Sequence, residues 1–329
     1  MRRFLFRMLI FSVGVFILSL GLDGLICRGL LGMEDYRFQD YRAMLDGGMD
    51  NDILIMGNSR GKSHYDPFLI DSLSNCRSFC IGIGGYPLNV QLIKYKLYLE
   101  HNRKPRIIIQ DIDYATMGQM TDVRYQHQSE QFFPLVFDRG ARNELKSIGY
   151  RMMECDLPLY RMFGYQQVIK EGLLESLSLK HYISRPAYKG HRPEEGIWNG
   201  RALDEMEQSE VVLASESRAR FENYMAQCKK DSVYVVLVYS PMYNGAKEKL
   251  IGLDDVRQYF SETANRFGFP YLDYLDHPIC RDTNNFVVSV HMNPQATQIF
   301  TRQLIKDIDS LFLNLPSWGT IEKNKRDYD

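Results

Sequence analysis

The sequence has no excess of charge of either sign: 40 Lys and Arg stand against 41 Asp and Glu, a formal net charge of −1 over 329 residues. Without a basic field there is no general attraction to a polyanion, so a nucleic-acid role is not expected. The balance says nothing for or against a neutral substrate such as a glycan. The six cysteines (27, 76, 80, 155, 228 and 280) form no Cys-x-x-Cys pair and no Cys/His zinc spacing. They read as small buried hydrophobes, and no bridge is assigned even if the chain is exported. Internal repeats and low-complexity segments are lacking too. What is present is ordinary globular composition, 45% hydrophobic, 25% charged and 12% aromatic. That suits one large domain, or one domain with an insertion.

The amino terminus is basic at Arg2, Arg3 and Arg7, and Met8 to Leu22 is apolar apart from glycines and serines, with Asp23 closing the run. With Phe4–Phe6 the stretch reaches the lower limit of about 17 residues for spanning a bilayer. A basic start and an apolar run fit a signal peptide or an uncleaved anchor; a buried N-terminal helix is the blander reading. The small-x-small cleavage pattern is poor around residues 20–24, and Leu25-Ile26 lacks the small residue expected before a lipidated Cys27. The anchor is therefore favoured: residues 1–23 as cytoplasmic flank and single span of the cytoplasmic membrane, and the bulk of the chain on the extracytoplasmic side. Residues 24–50 read as a polar connector.

Four apolar, β-rich runs follow at 53–56, 78–83, 106–112 and 233–239, with a fifth short strand at Tyr271-Leu272-Asp273. Helical patterns fall at about 66–74, 88–102 and 206–230. Short apolar strands alternating with helices predict a three-layer, flavodoxin-like α/β domain over 51–315 with a parallel sheet. The stretch 114–205 breaks the alternation. With weaker helices at about 141–153 and 165–178 it reads as an inserted helical cap, because so long a connection is not structureless. A last helix at 294–313 carries Ile299, Phe300, Leu304, Ile308 and Leu311 on its core face, and 316–329 reads as a frayed tail.

Two short segments carry the chemistry. In Gly57-Asn58-Ser59-Arg60 a strand breaks and delivers a serine just past its end; in His291-Met292-Asn293-Pro294 a histidine precedes a well-capped helix start. Serine needs an adjacent base to act as a nucleophile, and such pairs are assembled by the fold whatever their separation in the chain. His64 is a competing base. The run Cys80-Ile81-Gly82-Ile83-Gly84-Gly85 clusters glycines at a strand end, where backbone N–H groups can approach a reacting centre. It has neither the Gly-Lys-Ser/Thr ending of a P-loop nor the spacing of a dinucleotide fingerprint.

Together these elements resemble the SGNH/GDSL hydrolase superfamily, and within it the membrane-anchored bacterial branch of DltD-like and alginate O-acetylation proteins. The first block matches at Gly57-Asn58-Ser59-Arg60. The second matches at Gly82 and Gly85 with Cys80 in the place of asparagine, and the last at His291 before a small polar turn and a helix. The resemblance implies catalytic Ser59 and His291, with the Ser59 and Gly85 N–H groups as the oxyanion site. Asn58, Arg60, Gly82, Asp113 and Asp282 are possible supporting residues, and neither metal nor cofactor is implied. It further implies an O-acyl esterase or acyltransferase, acetyl by preference, for an envelope or exported glycan, working beside a multi-spanning membrane O-acyltransferase. Two positions depart from the pattern. Val288 stands three before His291, where the family has aspartate, and Gln110-Asp111-Ile112-Asp113-Tyr114 has no asparagine for the oxyanion hole. A backbone carbonyl, Asp273, Asp276 or Asp282 can orient His291 instead.

Two other functions compete. One is a catalytically impaired glycan-binding protein or scaffold for a membrane acyltransferase, which Val288 and the missing asparagine favour. The other is a receiver-like, phosphate- or nucleotide-binding α/β domain using Asp111, Asp113 and the Gly82–Gly85 loop, which magnesium is expected to stabilise.

Overall fold

The computed structural model describes residues 1–312 apart from 125, 185–186, 201–202, 204–206 and 212. The tail read at 316–329 lies outside the described residues. The chain divides into two compact units, one of Asn51–Gly84, Pro105–Met117 and Pro193 onward, the other of Met1–Asp50, Gly85–Lys104 and Gly118–Arg192.

The first unit is built on five parallel strands: β2 (Ile53–Met56), β3 (Ser78–Cys80), β4 (Ile107–Asp111), β7 (Tyr234–Tyr239) and β9 (Tyr271–Asp273). All five runs expected from the sequence are strands. Their order across the sheet, β3-β2-β4-β7-β9, places the reversal of direction between β2 and β4. In sheets of this doubly wound kind, ligands bind at the carboxyl ends of the strands beside that reversal.

Because side chains alternate along a strand, register decides what each face touches. Ile53 pairs with Ile107, and Ile109 with Val236. Ile53, Ile55, Ile107, Ile109, Val236 and Val238 therefore share one face. They pack with Ile70 of α4 (Pro67–Ser74) and with Phe300, Leu304 and Ile308 of α12 (Pro294–Phe312). Met56 and Gln110 point the opposite way, where the Tyr224 hydroxyl of α9 (Ser215–Lys230) reaches both. Helices on both faces leave β2, β3 and β4 wholly buried and β7 nearly so, which is why β2 and β7 read as unbroken apolar runs, while the edge strand β9 is only half-buried.

Several expectations need correction here. Ile299, expected on the core face of the last helix, is 47% exposed, whereas Ile305 is buried. The helical pattern at 206–230 begins only at Ser215, and Ser209–Glu210 (β6) instead pairs with Leu250–Ile251 (β8). After the short α10 (Asn244–Lys247), α11 (Leu253–Phe267) is a helix the sequence reading passed over; Gly252 and Gly268 bracket it in left-handed conformations.

The second unit begins with α1 (Arg2–Gly32), which is long and apolar enough to cross a membrane. The helix was expected to stop at Asp23. It continues because Asp23 is buried and paired with Arg161, whose Nη1 and Nη2 lie 2.8 and 2.5 Å from its two carboxylate oxygens. A charge so paired is no barrier to helix. Beyond Asp23, Ile26, Cys27 and Leu30 pack with Phe38, Phe133 and Met162. Gly29 meets Gly172 of α8 (Gln166–Ser176) so closely that a Cβ on either would strike the other helix's backbone.

The connector read at 24–50 is thus the end of α1, the short β1 (Glu34–Asp35), paired with β5 (Ile183–Ser184), and α2 (Gln39–Asp46). The same unit holds α5 (Leu88–His101), α6 (Arg139–Ser147) and α7 (Met152–Asp156). The helical stretch at 114–205 does not stand alone. Gly118–Arg192 shares a core with the first fifty residues, since its short helices need the last third of α1 to bury against.

Candidate functional site

At the end of β2 the chain turns through Gly57, whose φ of 147° belongs to the region that glycine tolerates. A Cβ there would lie 2.8 Å from the Asp111 Cβ and 3.0 Å from the Gly61 Cα. Asn58 then fixes the turn from both ends of its amide. Its Oδ1 accepts the Arg60 N–H at 3.0 Å, capping α3 (Ser59–Ser63), and its Nδ2 donates to Asp113 Oδ2 at 2.6 Å. Asp113 Oδ1 accepts from the Ala115 and Thr116 N–H groups. The bond from Asn58 to Asp113 therefore ties the end of β2 to the end of β4 at the reversal of strand order.

Ser59 is the first residue of α3, half-buried, and its Oγ lies 2.8 Å from His291 Nε2 across 232 residues of sequence. Among the described residues, no acceptor takes the Ser59 backbone N–H. His291 stands on a short antiparallel pair, β10 (Phe286–Val288) and β11 (His291–Met292), just ahead of α12. Asn293 caps α12 by accepting the Ala296 N–H at 3.0 Å, and Pro294 takes the first helical position. Val288 sits opposite His291 and is 43% exposed.

The three carboxylates considered as its orienting groups are engaged elsewhere. Asp273 holds Arg257 at 2.7 Å, Asp276 holds Lys247 at 2.7 Å, and Asp282 accepts the Asn284 N–H at 2.9 Å in a 3-10 turn.

The glycine run lies where the sequence suggested, with a different division of labour. A Cβ at Gly82 would come within 2.7 Å of the Lys62 backbone nitrogen, so Gly82 lets this loop press on α3. Gly84, which sequence reasoning did not single out, is the glycine against Ser59: a Cβ there would be 3.7 Å from the Ser59 Cβ. Gly85 has φ 80° and opens the other compact unit. Gly82→Ala is expected to displace α3 and slow any reaction of Ser59 at least tenfold, measurable as a labelling rate, while Gly84→Ala is tolerated.

Beneath Ser59 runs a buried polar network. Arg60, 2% exposed, donates from Nε and Nη2 to Ser240 Oγ at 3.2 and 3.0 Å and from Nη2 to the Ser240 carbonyl. His64 Nδ1 lies 2.9 Å from the same Oγ, and His64 Nε2 accepts the Met292 N–H at 3.1 Å. Accepting at Nε2 puts the proton on Nδ1, which makes Nδ1 the donor to Ser240. His64 is thus wholly buried and braced against the strand that carries His291; the competing-base role does not suit it. Ser240 went unnoticed in the sequence. Its signal was its place: it directly follows β7, at the carboxyl edge where site residues of parallel sheets gather.

Asp111 accepts the Tyr65 hydroxyl at 2.6 Å through Oδ1, while its Oδ2 is buried without a hydrogen bond. Burial, reinforced by Asp113 and opposed by Arg60, pushes the Asp111 carboxyl up to about 6. Burial also works against the Arg60 charge, but Asp111 and Asp113 outweigh it and raise the guanidinium pKa. For Asp111 the folded value lies above the unfolded one of 3.8. Its folded-state proton stabilises the native protein below about pH 4, and that contribution is lost as pH rises through about 6. The loss is on the order of 3 kcal/mol. In urea unfolding, the stability of wild type minus that of Asp111→Asn is expected to fall between pH 4 and 6.5; a flat difference would show that Asp111 does not titrate this way.

A serine hydroxyl in hydrogen-bond contact with an imidazole, beside a glycine turn and a backbone N–H that no acceptor takes among the described residues, is an arrangement able to perform acyl transfer. Asp113, spent on Asn58 and the following turn, is ill suited to bind a divalent ion as the receiver-like reading requires. Searched against protein-family models and against curated proteins, the chain matches none.

Proposed function

We propose that this protein is a membrane-anchored serine O-acyl esterase or acyltransferase of SGNH type, acting outside the cytoplasm on an acylated envelope or exported glycan. The observation that carries the reading is the 2.8 Å contact between Ser59 Oγ and His291 Nε2. His291 accepts the Ser59 proton as Oγ attacks an ester carbonyl. The Ser59 N–H, which no acceptor takes among the described residues, is the proposed donor to the growing negative charge, and the glycine turn that packs on Ser59 at Gly84 is the proposed source of a second donor. His291 returns the proton to the departing alkoxide, leaving an acyl-serine. Water or a sugar hydroxyl then takes the acyl group, with His291 again removing its proton.

The N-terminal helix supports a membrane location, and α1 is proposed as a retained anchor whose basic Arg2, Arg3 and Arg7 stay on the cytoplasmic side. In the families this chain resembles, such proteins work beside a multi-spanning O-acyltransferase, and a similar partner is proposed here.

The test is covalent labelling of the full chain in detergent by a fluorophosphonate. Stoichiometric labelling at Ser59 is the expected result. A folded protein that resists the reagent is instead a glycan-binding or scaffolding partner. That second reading draws on the sequence, where Val288 stands in the place of the aspartate of the resembled families and residues 110–114 hold no asparagine. Removing residues before 30 is a poor route to a soluble sample, because Ile26 and Cys27 belong to a core.

A further inference from the structure

The exposed and packed parts of α1 meet at a sharp boundary. Phe4, Phe11, Leu18 and Leu22 are 64%, 66%, 75% and 40% exposed, and the next residue, Asp23, is 1% exposed. At 1.5 Å per residue, residues 4–22 extend about 28 Å, close to the ~30 Å hydrocarbon core of a bilayer. If this part crosses the membrane, Asp23 marks the level at which the chain leaves it.

A loop is fastened to that level. Asp23 Oδ2 accepts the Leu159 N–H at 2.8 Å, and both Asp23 oxygens are held by Arg161, which also donates from Nε to the Phe133 carbonyl at 3.0 Å. The loop, 157–163, reads Leu-Pro-Leu-Tyr-Arg-Met-Phe, and its one charged residue, Arg161, is turned inward. What faces outward is apolar: Leu157 is 42%, Tyr160 46% and Phe163 91% exposed. These three residues line an open cavity of about 790 Å³, with Met162, Ile169 and the ion-paired Arg124 and Glu154 also in its wall. A loop meeting water ordinarily does the reverse, turning charge out and large apolar groups in.

We infer that the 157–163 loop is a second membrane contact, with Leu157, Tyr160 and Phe163 seated among the lipids at the bilayer surface beside α1. The occupant is bilayer lipid because the loop is bonded to the residue that ends the free apolar stretch of α1, so its apolar tips lie at the depth where lipid begins. A tyrosine at that depth keeps its ring in the apolar zone and its hydroxyl in the headgroups. Two attachments, a helix and a loop, restrict tilting of this unit far more than a single helix does. The inference rests on the proposal that α1 spans the membrane.

The full chain in phosphatidylcholine vesicles, carrying an environment-sensitive fluorophore on an introduced cysteine, tests both points. The six native cysteines are all buried, so labelling is directed to the new site. Phe163→Cys reports the loop, Val13→Cys the span, and Gln227→Cys is the exposed control in the other unit. Lipids spin-labelled near the headgroup are expected to quench position 163 at least twofold more than position 227, and lipids labelled deep in the acyl chain to quench position 13 best. Quenching at 13 without any excess at 163 over 227 overturns the loop contact and leaves the span standing. No lipid quenching at 13 overturns the span, and the loop contact with it. A signal at 163 that responds to protein density in the vesicle, and not to labelled lipid, identifies a second copy as the occupant and overturns the inference.

Discussion

Ser59→Ala is expected to abolish fluorophosphonate labelling and to lower ester turnover by at least about 10⁴-fold, with His291→Ala close behind. The size follows from geometry. Ser59 Oγ and His291 Nε2 are 2.8 Å apart, so the base is already placed to take the proton, and removing either partner leaves the other with nothing to act on. The two losses should not add: the double variant is expected to fall little below either single one, because the residues act as a unit. Val288→Asp provides a gain-of-function comparison. Val288 is exposed and pairs across from His291, so a carboxylate there can be accommodated without disturbing a core. Faster labelling of that variant would show that His291 is under-supported in the natural chain. Undiminished turnover in Ser59→Ala, measured on acetyl esters with the protein folded, would end the proposal of serine catalysis.

The largest effect on stability is expected from Arg161→Met. Arg161 and Asp23 are each 2% exposed at the side chain, and their pairing is bidentate. Taking away the guanidinium leaves a buried carboxylate with only the Leu159 N–H and the Cys27 thiol beside it, and such uncompensated charges cost about 3–5 kcal/mol. Asp23→Leu alone should be as harmful, stranding the arginine instead. The pair Asp23→Leu with Arg161→Met should recover most of the loss, since replacing both members of a buried ion pair by apolar groups is often neutral. The quantity to follow is the urea midpoint of the detergent-solubilised chain, or protease resistance of the 157–163 loop. A single variant within about 1 kcal/mol of wild type would mean that water reaches the pair and the helix does not depend on it.

Much of the candidate site could be located from sequence because its signals are local. A strand that ends in Gly57-Asn58-Ser59 needs a turn, and Asp66 with Pro67, and Asn293 with Pro294, announce helix starts through side chains that bond only a few residues away. What could not be read this way depends on contacts between distant segments. Asp23 looked like the end of a membrane helix because a lone carboxylate is costly in an apolar run; that Arg161 neutralises it is decided 138 residues later. The roles of Gly82 and Gly84 were interchangeable in the sequence, since what distinguishes them is which one lies against Lys62 and which against Ser59. His64, five residues after Ser59, competes as a base in the sequence, and only the fold turns it toward Ser240 and Met292.

Local pattern was enough to place the five strands, the starts of α4 and α12, and the two chain positions able to form a nucleophile–base pair. Each of these follows from apolar period, turn chemistry or capping, interactions whose range is a few residues. That His291 meets Ser59, that Arg60 and His64 lie buried beneath them, and that the last third of α1 belongs to a core are outcomes of the fold. Those outcomes depend on strand order, on sheet register and on which buried charges find one another, and none of the three has a local signature.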